Sequence, residues 1–359
     1  FTVPCFGYDQ FTHPSNGADL RFADATGQAL NYEVEQWDSA GTSLVWVQVP
    51  ALSAGTTITA YWGNASAAAN PPAYTTDGSA WSEEYVGVWH FNEDSGTVFD
   101  SSGNGLHGTP VDDVIQGTNG LVDGAVFMND DATGDGAHID LTEHIPVISA
   151  LTEGSILTTF DDLGLGVDTL FAISDSADGS SEIRVITEGG LYWYDFRDAS
   201  GSPPGEGGAL QAPTTPGQWH VGFTVINETN AGAHYLDGVL AAEGEEPFFA
   251  DLLTPDTMAF GRNVDSGGPQ WGFDGTLDEF RISSALRSSN WVWAASLSIT
   301  DPDALLSFGN VSGIDTPTVF NAEATNVSAL SADANGELNC EGVGATDVRV
   351  YFGTADGGT

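Results

Sequence analysis

Residues 85–109 read YVGVWHFNEDSGTVFDSSGNGLHGT, and the rest of the chain is best read outward from them. Val86, Val88, His90 and Phe99 alternate with residues of a second face, the period of a sheet strand. The run Asp100-Ser101-Ser102-Gly103-Asn104-Gly105-Leu106-His107-Gly108 follows. It is polar and holds three glycines in nine residues, which predicts a tight, irregular loop. A strand that enters such a loop needs a partner. The best candidate lies far downstream at Trp271–Ser283, WGFDGTLDEFRIS.

Upstream, residues 1–64 alternate in short hairpin-like segments, as in Tyr32–Trp37, Leu44–Val49 and Ile58–Trp62. This predicts one small β-sandwich of about four to six strands. Residues 65–79, ASAAANPPAYTTDGS, read as a linker that is semi-rigid around Pro71-Pro72. Residues 80–310 repeat strand and turn signals, with Asp237-Gly238 as a hairpin turn. Ser288-Ser289 caps the single helix predicted, over Asn290–Ser296, and Leu305–Phe308 is expected as a last strand. Residues 314–359 begin a new series of strands, at 319–322, 328–332, 337–341 and 347–353. They predict part of an immunoglobulin- or fibronectin-like domain, whose open edge a neighbouring chain would complete. The fold class expected is therefore all-β.

Charge is the loudest compositional signal. Asp and Glu number 51 against 7 Lys and Arg, a net charge of -44, and all seven cations are Arg. Self-repulsion on this scale opposes compaction unless ions screen it, and the screening length falls from about 8 Å at physiological salt to about 3 Å near molar salt. Life in high salt and loading of surface carboxylates with divalent cations both fit. Nucleic acid and anionic membranes are disfavoured as partners, because phosphate attraction needs basic patches. No run of about 18 apolar residues predicts a membrane span. Cys5 and Cys340 fall in different predicted domains and are expected to be unpaired thiols.

FDSSGNGLHGT at 99–109, followed much later by GTLDEFRISSALRSSNWV at 275–292, resembles the LamG-like, concanavalin A-like jelly-roll domains of bacterial secreted proteins. The resemblance covers about Ser79 to Gly309. The segment before it, GADLRFADATGQALNYEVEQWDSAGTSLVWVQVPALSAGTTITAYWGN, resembles the uncharacterised β domain that often precedes LamG-like domains in bacterial surface proteins. The resemblance implies a calcium ion near the junction of the loop and the closing strand. Asp100, Asn104 and Asp278 are the matching positions. A Gly-rich loop facing a carboxylate supplies the oxygen types that Ca²⁺ gathers, about six to eight of them. The alternative is that Asp100 and Asn104 bond only their own loop, as Asx turns do. A second acidic loop, with Asn129, Asp130, Asp131 and Asp135, lacks the closing Glu of an EF-hand and is expected to be solvated.

In GGLYWYDFR at 189–197, Tyr192, Tyr194 and Phe196 share one face, with Leu191 and Trp193 on the other. A sandwich buries one face of each sheet. Tyr192, Tyr194 and Phe196 are thus candidate platforms for stacking on sugars, joined by Trp271 near the rim. The alternative is that these rings pack.

Catalysis finds little support. Glycosidases on this jelly roll need two carboxylates on one strand, about 5–5.5 Å apart when retaining, whereas Asp278 and Glu279 are adjacent and expected on opposite faces. The Glu-x-Asp-x-x-Glu pattern of laminarinase-like enzymes, G-x-S-x-G and H-E-x-x-H are all absent from the sequence. Asn64, Asn227, Asn310 and Asn326 lie in N-x-S/T sequons. The leading expectation is a non-catalytic, extracellular adhesion or glycan-binding module with structural calcium, part of a larger surface protein. Its partners would be glycans or copies of itself. A structural subunit of a filament, sheath or surface layer is the alternative, and part of a polysaccharide-degrading enzyme is third.

Overall fold

A computed structural model describes residues 6–129, 136–164, 166–178, 181–197, 210–309, 311 and the backbone of 318–325 and 333–340. The side chains of Cys5 and Cys340, Asp130, Asp131 and Asp135, the sequons at Asn310 and Asn326, and the expected strands at 328–332 and 347–353 lie outside the described residues. Strand exceeds helix by 41% to 11%, so the chain is all-β.

Two large antiparallel sheets form the central sandwich. One has seven strands in the order Leu210–Pro213, Leu191–Arg197, Glu182–Glu188, Val167–Ser174, Thr257–Phe260, His138–Asp140 and Thr109–Val111. The other runs Val239–Glu245, Ala231–Leu236, Trp219–Ile226, Gly154–Asp162, Gly275–Ser283, Gly124–Met128 and Ile115–Asn119. Tyr85–Trp89 joins this second sheet by pairing antiparallel with Gly275–Ser283, Trp89 opposite Phe280 and Val88 opposite Arg281. The partner expected from the sequence is therefore the one the chain uses. Between the sheets lies a continuous aromatic and aliphatic core that includes Trp89, Phe160, Phe171, Phe260 and Phe280. Burying each such side chain contributes about 1.5–3 kcal/mol.

The second sheet is covered on its outer side as well. Helix Ser289–Thr300, capped by the Ser288 hydroxyl accepting from the Trp291 amide at 3.3 Å, lays Val292 and Ile299 against Leu157, Val221, Phe223 and Tyr235. Leu44 and Trp46, from an N-terminal hairpin of Tyr32–Gln36 and Leu44–Val47, extend the same cluster. Strand Gly154–Asp162, buried along nearly its whole length, reflects this two-sided cover. The N-terminal strands form that hairpin and a three-stranded sheet ordered Ala29–Leu30, Arg21–Asp24, Ile58–Tyr61. Their own small core centres on Phe11, Leu20 and Tyr32.

Two expectations need correction. Pro302–Leu305 is a short helix with the Asp301 carboxylate capping it at Ala304, and Leu306–Phe308 continues without a strand. Proline at the first helical position favours that outcome. Asp278 and Glu279 do not point to opposite faces. The register with Gly154–Asp162 slips between Thr158 and Phe160, so that Leu277 and Phe280 both enter the core. This bulge turns both acids outward, Asp278 to the amides of Leu121 and Val122, Glu279 to His90 and Arg281.

Candidate functional site

The loop after Tyr85–Trp89 is held by one carboxylate. Asp100 is buried, and its Oδ1 accepts from the amides of Val88 and Ser102, both at 2.9 Å. Its Oδ2 accepts from the Ser102 hydroxyl and the Leu106 amide, again at 2.9 Å. Asn104 turns its amide nitrogen to the carbonyls of Tyr85 and Val86, at 3.0 and 3.1 Å. Asp278 Oδ2 accepts from Leu121 and Val122 at 2.7 and 2.6 Å, on a different hairpin. Asp100 and Asp278 thus take separate partners. A nitrogen, not an oxygen, of Asn104 faces the polar groups around it. This donor set does not fit a calcium ion shared by Asp100, Asn104 and Asp278; it fits the loop-sewing Asx alternative.

The aromatic run resolves the other way from the sugar-platform expectation. Tyr192, Tyr194 and Phe196 are buried in the core between the sheets. Tyr192 stacks on His234, centroids 4.6 Å apart and planes at 15°, and the Tyr194 hydroxyl donates to the Pro247 carbonyl at 2.9 Å. Gly222, on the facing sheet, makes room for Tyr192, since a Cβ there would overlap its ring. None of the three presents a face to a ligand. Apolar alternation had marked which rings share a face but not which face the second sheet covers.

The opposite face of the seven-stranded sheet carries polar chemistry. Register places Trp193 beside Ile186, Asp195 beside Arg184 and Arg197 beside Glu182. Arg184 is buried, its Nη2 bonded to Asp195 and its Nε 3.2 Å from Glu182 Oε1. Arg197, with a side chain 43% exposed, reaches Asp195 at 3.1 Å and Glu182 at 3.7 Å. The Asn263 amide donates to Glu182 Oε2 at 2.5 Å. Burial raises the Glu182 pKa, against the pull of Arg184 and Asn263. Trp271 belongs here rather than with the buried tyrosines. Its ring lies under the Arg184 guanidinium, 4.5 Å from ring centroid to Cζ. Its backbone is left-handed, φ 49°, a strained state for a residue of this size. Trp193 and Trp271 are half-buried, and two buried polar atoms on this face, Trp193 Nε1 and Asn263 Oδ1, lack a hydrogen-bond partner. Flat rings beside forked donors and acceptors suit a ligand with apolar CH faces and paired hydroxyls.

A second polar cluster lies where the N-terminal hairpin meets the outer side of the other sheet. His90 Nδ1 is 2.5 Å from Glu279 Oε1 and 3.7 Å from Glu35 Oε2, and its Nε2 is 3.6 Å from Glu33 Oε2. Arg281 donates twice to Glu279 Oε2, from Nε at 3.0 Å and Nη2 at 2.6 Å. The guanidinium is flanked by Trp46 and Trp81, 4.4 and 4.7 Å from their centroids. Trp46 Nε1 bonds Glu35; Trp81 Nε1 and the Ser101 hydroxyl donate to Glu33 at 2.5 and 2.9 Å. Burial alone would pull His90 down, but Glu279 and Glu35 outweigh it and hold the ring well above the ordinary imidazole range. Burial, reinforced by Glu279, pushes Glu35 up to about 8. Docking of the hairpin against His90, Trp81 and Arg281 is what buries Glu33 and Glu35.

No curated protein matches the chain. The CBM40 of a Ruminococcus gnavus IT-sialidase, bound to α2,3-sialyllactose, is 15% identical with TM-score 0.42, covering 48% of this chain and 96% of that one. Domain 4 of an extracellular arabinanase from Geobacillus stearothermophilus, in complex with arabinotriose, is 18% identical with TM-score 0.43, covering 59% and 98%. The binding domain of botulinum neurotoxin serotype D is 15% identical with TM-score 0.43, covering 66% and 58%. Residues 16–104 match the family described as a domain of unknown function, DUF2341, a span that runs through strand Tyr85–Trp89 into the Asp100 loop. Residues 161–292 match the concanavalin A-like lectin/glucanases superfamily, so the chain carries a jelly-roll domain of that superfamily preceded by a DUF2341 domain.

Proposed function

We propose that this chain is a non-catalytic, extracellular adhesion module whose jelly roll binds glycan on the outer face of the seven-stranded sheet, between Trp193 and Trp271. The observation that carries the reading is the conjunction on that face. Two half-buried indoles flank a fixed Arg184–Asp195–Glu182–Asn263 lattice, and polar atoms there lack partners. Unpaired buried polar atoms cost about 1–3 kcal/mol each, and sugar hydroxyls on this face would relieve that cost.

The non-catalytic part rests on the acids of the closing strand. Asp278 and Glu279 are both fully buried. One is held by two backbone amides and the other by His90 and Arg281. Neither is open to a glycosidic bond, which the two-carboxylate mechanism requires. The extracellular setting rests on the resemblance of 99–109 and 275–292 to LamG-like domains of bacterial secreted proteins.

A glycan array probed with the labelled chain tests the proposal. Discrete hits that vanish in Trp271→Ala support it. A blank array, with ordered filaments of the chain in electron micrographs, favours the structural-subunit reading. Release of reducing sugar from a polysaccharide contradicts the non-catalytic assignment.

A further inference from the structure

We propose that Glu35, His90 and Glu279 form a site for a divalent transition metal of the zinc class, placed on the seam between the N-terminal hairpin and the jelly roll. The proposal is independent of glycan binding, which concerns the other sheet. One carboxylate oxygen from each Glu and a ring nitrogen of His90 lie within 4.8 Å of one another. One ligand comes from hairpin strand Tyr32–Gln36, one from the residue that follows Tyr85–Trp89, and one from Gly275–Ser283. Imidazole with two carboxylates and no thiolate suits zinc and its neighbours, whereas calcium favours oxygen ligands alone.

A further observation points to a missing partner. Glu35 Oε1 and His90 Nε2 have no hydrogen-bond partner, although the two side chains are 0% and 5% exposed. A divalent ion would displace the proton His90 carries and take the neutral imidazole as ligand.

The surrounding bonds are those of a supported site. Arg281 fixes the far oxygen of Glu279, and the Trp46 indole fixes one oxygen of Glu35. Outer partners of this kind orient ligands and tune affinity. Glu279 Oε1 and His90 Nδ1 now stand 2.5 Å apart, bridged by a hydrogen. Two ligands on one tetrahedral zinc lie about 3.3 Å apart, given bonds near 2.0–2.1 Å. Binding therefore asks for a carboxylate shift of under about 1 Å and loss of the bridging proton. Because the ligands come from both sides of the seam, the metal would fasten the two domains.

The test is a titration of the full chain, stripped with chelator, with Co²⁺ and then Zn²⁺. The result expected is one equivalent of Co²⁺ with the strong visible absorption of a low-coordinate site, displaced by one equivalent of Zn²⁺. Apparent affinity should fall by about 100-fold or more in Glu35→Gln and His90→Gln, and stay unchanged in the surface variant Asp24→Asn. Far-UV circular dichroism establishes that each variant is folded. If His90→Gln unfolds, the near-isosteric Glu35→Gln decides. Only the pale spectrum of solvated Co²⁺ in the wild type, or an intense spectrum that persists in folded Glu35→Gln, overturns the assignment and leaves the cluster as a hydrogen-bonded clamp.

Discussion

The guanidinium of Arg281 lies 4.4 Å from the ring centroid of Trp46, so a cation of the jelly roll's closing strand is held by an indole of the N-terminal hairpin. Trp81, just outside the expected linker, closes the other side at 4.7 Å. The two units are therefore joined by a desolvated ion pair wrapped in aromatic rings, an arrangement in which cation–π contacts reach about 2 kcal/mol.

Removing the cation should be costly. Arg281→Ala leaves Glu279 buried with His90 as its remaining partner, and breaking a buried pair from one side typically costs about 3–5 kcal/mol. Urea denaturation should show that loss, and limited proteolysis should open the 65–79 segment first. A change under about 0.5 kcal/mol, the range of unimportant surface substitutions, would mean that the seam is not a stabilising contact.

Asp100→Ala removes four acceptor contacts within one loop. Two or more buried donors are then left unpaired, which predicts a loss of about 2–4 kcal/mol. The same loss is expected in calcium and in EGTA, because the carboxylate bonds N–H and O–H groups. A loss that appears only in calcium would restore a cation to this loop.

His234 sets a pH prediction. It is fully buried, accepts or donates at the Thr224 hydroxyl at 2.9 Å, and burial pulls its pKa down to about 3 from 6.5. The folded value is below the unfolded one, so the unfolded chain binds the extra proton. The neutral ring's contribution is intact above about pH 6.5 and is lost as pH falls from there toward 3, at up to about 1.4 kcal/mol per unit. His234→Gln should flatten the acid limb of the stability curve relative to wild type. Parallel curves would show that His234 protonates without penalty.

Much of the fold was legible because it depends on local pattern. The alternation in 85–90 and 275–283 marked two strands that do pair, and Ser288 before Asn290 marked a helix start that the Trp291 amide uses. The failures have physical causes. Tyr192 and Trp193 are equally apolar, so alternation separates their faces without saying which one meets the second sheet. The slip opposite Thr158 and Phe160 moves Glu279 to the side of Asp278, and no residue at 278–279 signals a bulge. Glu33 and Glu35 alternate with Tyr32 and Val34 along their strand; their burial comes from His90, Trp81 and Ser101 of later elements, which no local window contains.

Isothermal titration of the strongest array glycan into wild type, Trp271→Ala and Tyr194→Phe locates the binding surface. A glycan surface at Trp271 gives at least a tenfold loss for Trp271→Ala, about 1.4 kcal/mol or more, and unchanged affinity for Tyr194→Phe. Full affinity in a folded Trp271→Ala would contradict it, and would move the binding surface off the seven-stranded sheet.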